Sequence, residues 1–149
     1  MNIAIASDHA GFRLKKYVIE YLEKKNYEFK DFGTFNENSC DYPDYSLFVA
    51  EAVAKGEYEF GILICGTGIG IGIAANKVPG IRAALCHDTF SAHACREHNN
   101  ANILTMGERI VGPGLAIDIV ETFLNSKFEG ERHQKRIDKI TDIEKKYNK

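Results

Sequence analysis

Residues Phe60-Gly61-Ile62-Leu63-Ile64-Cys65 form an unbroken run without a polar side chain, and Gly66-Thr67-Gly68-Ile69-Gly70-Ile71-Gly72 follows at once. A strand made from that run has no face to offer to water, so it belongs inside a sheet covered on both sides. Sheets of that kind are parallel, and parallel neighbours need long crossovers, usually helices. The glycines permit a tight turn, and a helix is predicted from there through Ala75. The rest of the chain must then alternate short strands with helices.

It does. Asn2–Ala6 is a β-favouring run, and Phe12–Lys25 follows with Leu14, Tyr17, Val18, Tyr21 and Leu22 at helical spacing. Tyr27–Phe32 reads as a second strand. Thr34–Asp44 reads as a polar loop closed by Tyr42-Pro43, and Tyr45–Lys55 as an amphipathic helix. Ile81–Leu85 is the fourth strand, Asp88 caps a helix from Thr89 to about His98, and Ile103–Met106 is the fifth strand. Pro113 and Phe123-Leu124 bracket another helix. A terminal helix runs from about Glu131, with Ile137, Ile140, Ile143 and Tyr147 on one side. The expectation is an α/β fold: a three-layer α/β/α domain with a five-stranded parallel sheet.

At 149 residues and 44% hydrophobic content the chain fits one domain, without linker, repeat or low-complexity segment. A net charge of −2 implies no general attraction to nucleic acid or an anionic membrane. No apolar run approaches the ~20 residues that span a bilayer, and Met1 to Asp8 does not read as a signal peptide. The expected compartment is therefore the cytoplasm, with Cys40, Cys65, Cys86 and Cys95 as thiols. His87, His93, His98 and His133 form no metal-binding spacing, so no metal is expected.

In parallel sheets ligands bind beyond the carboxyl ends of the strands, and the candidate site residues sit there. Cys65 ends a buried strand, and the amides of Gly66 to Gly70 converge at a helix start, which suits an anion and favours the thiolate over the thiol. A structural turn holding a buried cysteine fits those residues equally well. Ser7 or Asp8 reads as a helix cap, yet the position also puts Asp8 and His9 at the ligand edge. His98-Asn99-Asn100 reads as a helix end, and Arg109 as an exposed loop residue. Arg132 and Arg136 share one helix face; this is either a solvated basic face or a pair of forks for a phosphate dianion.

Taken together, Ser7-Asp8-His9-Ala10-Gly11, Asp41-Tyr42-Pro43, Ile64-Cys65-Gly66-Thr67-Gly68-Ile69-Gly70, Ala74-Ala75-Asn76-Lys77, His98-Asn99-Asn100-Ala101-Asn102 and Arg132-His133-Gln134-Lys135-Arg136 resemble the ribose/galactose isomerase family, in its type B ribose-5-phosphate isomerase branch. The resemblance implies a single sugar-phosphate isomerase domain over 1–149, a Rossmann-like sheet in strand order 2-1-3-5-4, and a C-terminal helix (about 131–147) completing a phosphate site. It implies aldose–ketose isomerisation of ribose 5-phosphate and ribulose 5-phosphate, in the non-oxidative pentose phosphate pathway, without cofactor or metal. Cys65 would be the carbon base, and His98 the proton donor that opens the sugar ring, with Asp8 or Thr67 assisting at the hydroxyls. Gly66, Thr67, Gly68, Ile69 and Gly70 would surround the enediolate, while His9, Arg132 and Arg136 hold the phosphate. A homodimer or dimer of dimers is implied, with active sites at the subunit interface where His98, Asn99 and Arg109 complete the neighbour's pocket. One departure is Glu131, which stands where the family usually has a second glycine beside Gly130.

Two other readings start from the same residues. Asp88, twenty residues beyond Gly68, could bind the ribose of a nucleotide, but no G-x-G-x-x-G marks the turn. A non-catalytic phosphosugar-binding protein is compatible with the fold, though not with the need for a complete thiol, histidine and arginine set.

Overall fold

The computed structural model describes residues 1–148. Five strands, β1 (Asn2–Ser7), β2 (Glu28–Asp31), β3 (Phe60–Cys65), β4 (Ala83–Leu85) and β5 (Ile103–Gly107), form one sheet in the order β2-β1-β3-β5-β4. Every pairing is parallel. The helices between and after them are α1 (Phe12–Lys24), α2 (Tyr42–Ala54), α3 (Ile69–Ala75), α4 (Thr89–Glu97), α5 (Pro113–Asn125) and α6 (Arg132–Tyr147), with a 3₁₀ turn at His9–Gly11. Among the described residues no helix is long and apolar enough to cross a membrane.

Alternating strand residues feed two separate cores, as the two-residue period requires. Ile3, Ile5, Ile62, Ile64, Leu104 and Met106 pack with α1, α4 and α5. Ala4, Ala6, Leu63 and Cys65 face α2 and α3 on the other side. Cys65 thus points toward the α3 side, away from the larger core. All four cysteines are free. Cys86 and Cys95 lie 3.8 Å apart, sulfur to sulfur, in the buried interior. The contact with Cys95, together with burial, pushes the Cys86 thiol far above its usual range.

Two boundaries differ from the sequence reading by more than one residue, and one apolar row differs in burial. Helix α2 begins at Tyr42, not Tyr45, because Pro43 occupies its first turn, where a missing N–H costs nothing. Strand β4 begins at Ala83, not Ile81, because the side chain of Asn102 takes the Arg82 N–H and that of Asn76 takes the Ala83 N–H. On α6 only Ile137 of the apolar row is buried; Ile140, Ile143 and Tyr147 stay exposed in the single chain.

A buried ion pair ties the crossover after β2 to the end of β1. Lys15 is 1% exposed, and its Nζ donates to Asp31 Oδ1 at 2.7 Å and to the Thr34 carbonyl at 2.5 Å. Asp31 also accepts from the Gly33 N–H, and Gly33 and Thr34 exchange backbone bonds with Ser7, next to Asp8. Burial lowers the Lys15 pKa, and the hydrogen bond to Asp31 opposes that shift. Asp31→Asn strands a buried cation and is expected to cost about 3 kcal/mol, whereas Lys15→Met leaves a partly exposed carboxylate and is expected to cost about 1 kcal/mol. Asp31→Asn removes the interactions that raise the Lys15 pKa against burial, so the folded variant sheds this proton at a lower pH than folded wild type does, and the Asp31→Asn deficit should shrink as pH rises toward 10. Urea unfolding at two pH values checks both the order and the trend; equal costs, or a deficit that grows with pH, would contradict it.

Candidate active site

The carboxyl ends of β1, β3 and β5 enclose a cleft of about 260 Å³ lined by Asp8, His9, Ala10, Tyr42, Cys65, Gly66, Thr67, Gly70 and Arg109. The Cys65 sulfur accepts the Gly68 N–H at 3.1 Å, although the residue is only 4% exposed. That bond requires Gly68 to adopt φ 75°, and a Cβ there would lie 2.7 Å from the Met106 backbone. Only glycine combines the left-handed turn with so close an approach. Thr105 donates to the Gly68 carbonyl at 2.9 Å and fixes the turn from β5. Thr67, exposed at the apex, accepts the Ile69 N–H through its hydroxyl. Two amides of the turn are thus committed locally, one of them to sulfur. Ile69, expected beside the enediolate, does not line the cleft; its side chain is 52% exposed.

Asp8 caps the 3₁₀ turn, its Oδ1 accepting from Ala10 and Gly11. The cap uses one oxygen, so the capping and site readings of Asp8 are compatible. His9 Nδ1 accepts the Cys40 N–H at 3.2 Å, so a neutral His9 carries its proton on Nε2. Arg109 follows β5 and packs its guanidinium over Gly66, where a Cβ would come within 3.3 Å of Cζ. Its neighbour Glu108 accepts the Leu14 N–H at 2.6 Å, tying this loop to the start of α1.

The remaining sequence-derived residues lie elsewhere. His98 closes α4, and its ring stacks on His133 at 4.5 Å between centroids and 15° between planes. Asn99 and Asn100 lend their carbonyls to Arg82. The whole segment rests on buried Arg96, which donates to the Ala101 carbonyl and to the Asn100 side chain above the Phe60 ring. Burial lowers the Arg96 pKa. Arg132 and Arg136, in the first turns of α6, do not line the Cys65 cleft. The single chain therefore holds two groups of site residues: Asp8, His9, Cys65, Gly66, Thr67, Gly70 and Arg109 in the cleft, and His98, Asn99, Arg132 and Arg136 at the α4–α6 junction. Arg109 falls with the thiol, although the resemblance grouped it with His98.

Tyr42 and His133 belong beside these groups and were not singled out from sequence. Both lay inside motif stretches already noted, Asp41-Tyr42-Pro43 and Arg132-to-Arg136, so the signal was present. His98, Glu129 and His133 bring one donor atom each to within 4.8 Å of one another, the spacing of a possible metal site. However, ring lone pairs lie in the ring plane, and two stacked rings direct theirs into separate planes, so one ion cannot lie in line with both.

A family model described as Ribose/Galactose Isomerase matches residues 3–140. The chain belongs to that family. It is 49% identical to ribose-5-phosphate isomerase B of Escherichia coli, over 99% of each chain. A ribose-5-phosphate isomerase B structure from Clostridium thermocellum superimposes with TM-score 0.98 at 57% identity, covering 99% of this chain and 100% of that one. The Mycoplasma genitalium ribose-5-phosphate isomerase B, solved with bound ribulose 5-phosphate, has TM-score 0.93 at 47% identity, covering 97% of this chain and 96% of that one.

The family's departure at Glu131 has a structural counterpart. Glu131 has φ 51° and ψ −122°, the first corner of a II′ turn closed by His133 N–H on the Gly130 carbonyl. Glycine is the residue suited to that corner. Glu131→Gly is expected to stabilise the chain by about 1 kcal/mol, the relieved strain less the entropy of the added glycine. A urea midpoint that stays unchanged or falls would contradict this.

Proposed function

We propose that this chain interconverts ribose 5-phosphate and ribulose 5-phosphate through an enediolate, using no metal and no bound cofactor. The observation that carries the reading is the Cys65 sulfur in a cleft with the Gly68 N–H directed at it. The sulfur thus faces the cleft with a backbone donor on it, and a thiolate is the form of such a group that can act as a base. The fold and close family relatives support the substrate class; one relative's structure holds ribulose 5-phosphate.

The chemistry proceeds in two stages. His98 gives a proton to the ring oxygen as the bond from that oxygen to carbon 1 breaks, and the carbon 1 hydroxyl passes its proton to Asp8, with Thr67 assisting. The open aldehyde then loses the carbon 2 proton to Cys65. Its electrons form the carbon 1–carbon 2 double bond, and the carbonyl oxygen becomes the enediolate oxygen. Cys65 returns a proton to carbon 1 while the carbon 2 hydroxyl passes its proton to the carbon 1 oxygen, which yields the ketose with its carbon 1 hydroxyl. The oxyanion rests near the Gly66, Thr67 and Gly70 amides and the Arg109 guanidinium, where a fixed donor is worth ~3 kcal/mol. His9, Arg132 and Arg136 hold the phosphate, so that the non-reacting end positions the carbon acid.

Because the two groups of residues are separate in one chain, each working site is assembled from two copies. The cleft of one copy receives His98, Asn99, Arg132 and Arg136 from the other. Helix α6 leaves Ile140, Ile143 and Tyr147 exposed beside a hollow of about 650 Å³ that also includes Ile81, Ala84 and Asn99. An apolar face of that kind, next to half of a site, supports a homodimer.

Turnover of ribose 5-phosphate against allose 6-phosphate and galactose 6-phosphate, with Cys65→Ala alongside, tests the reading. Wild-type protein is expected to prefer ribose 5-phosphate and to keep its rate in excess chelator. Cys65→Ala is expected to lose at least ~10³-fold in turnover while still binding the sugar phosphate. Retained turnover would remove Cys65 from the base role, and a chelator loss restored only by metal would overturn the metal-free chemistry.

A further inference from the structure

His133 plays no part in the chemistry above, yet its position next to His98 demands a reason. The residue is 6% exposed, and its Nε2 is buried without a hydrogen bond, 3.3 Å from Glu129 Oε2. A buried nitrogen with no hydrogen bond, and only an ion-pair contact to a half-exposed carboxylate, gains little that an apolar side chain in its place would lose. What the ring does contribute is a flat face, on which the exposed His98 ring lies nearly parallel at 4.5 Å. The segment that carries it is tied to α4 by the Glu129 N–H on the Glu97 carbonyl at 3.1 Å, one residue before His98.

Resting on the isomerase reading, we propose that His133 is a positioning residue for ring opening: its face fixes the plane of the His98 ring. An exposed histidine at a helix end is otherwise free to rotate, and rotation swings its N–H away from the ring oxygen it must protonate. His133 also sits between Arg132 and Arg136 in the sequence of the same helix. Phosphate capture by those arginines and orientation of the acid are therefore functions of one rigid element. A sugar phosphate that engages the arginines meets an acid already aimed, which is how binding at a remote group is turned into rate.

Ribulose 5-phosphate offers a way to separate ring opening from carbon-acid chemistry. Its fifth oxygen carries the phosphate, so the ketose cannot close a five-membered ring and stays acyclic. Exchange of a carbon 1 hydrogen for solvent deuterium, followed by proton NMR, reports proton removal from carbon without any ring step. Two variants fill the buried site, so that both keep the fold: His133→Phe retains a flat face, and His133→Leu does not.

His133→Leu is expected to lose roughly ten- to a hundredfold in ribose 5-phosphate turnover while exchange stays within about threefold of wild type. His133→Phe is expected to retain both. A loss shared equally by turnover and exchange in the leucine variant would mark a merely structural role and overturn the proposal. Leucine and phenylalanine variants that behave alike in turnover, both fast or both slow, would overturn it too. If wild-type protein supports neither turnover nor exchange, the isomerase reading itself fails.

Discussion

The geometry of the cleft depends on one short contact, the Gly68 amide directed at the Cys65 sulfur. It exists because β3 ends in a turn that doubles back before α3 begins, with Gly68 at positive φ and pressed against the β5 backbone at Met106. The same turn is held by Thr105 from below, and Gly66 lies under Arg109 from the side. Sheet order makes the arrangement possible. β3 lies between β1 and β5, so the loops bearing Asp8, Cys65 and Arg109 leave adjacent strands on one edge. A thiol that would be an inert core residue in mid-strand sits instead at the last position of a buried strand, where backbone donors reach it.

The second organising constraint is separation. The junction of α4 and α6 assembles His98, Asn99, Arg132 and Arg136 with an internal framework of its own, built on Arg96, Arg82 and the His98–His133 stack. Nothing in the parallel sheet brings that junction to the cleft. Helix α6 leaves most of its apolar row in solvent, which is a poor end state for an isolated chain and a natural one for a chain that joins a copy of itself. On the proposed division of labour between copies the active form is an assembly, and stability of the pairing and activity would then be linked quantities.

The sheet was legible in the sequence because its signals are local. An unbroken Phe60–Cys65 run, glycines after it and helical spacing in between specify parallel strands with crossovers, and the strand order implied by family resemblance matches the observed one. Boundaries were harder where a side chain competes with the ladder, as Asn102 does at Arg82, or where Pro43 starts a helix that reads as the end of a loop. The site residues were legible as a set, through motifs, but their grouping was not. Whether Arg109 keeps company with Cys65 or with His98 is decided by contacts across some forty residues of chain, and no spacing rule encodes that. The same holds for Tyr42 and His133: Tyr42 reads locally as the close of a loop and His133 as an ordinary helix residue, and only their neighbours in space give them a part.

The central claim is that a working site draws Cys65 from one copy and His98 from another. Hybrid dimers test it most directly: Cys65→Ala and His98→Ala chains, carrying different tags, are co-expressed, purified as the mixed species and assayed on ribose 5-phosphate. Each parent homodimer is expected to be inactive, while the hybrid, which retains one undamaged site of two, should turn over at about half the wild-type rate per dimer. A hybrid as inactive as its parents would mean that the thiol and the imidazole act within a single chain, and would contradict the account.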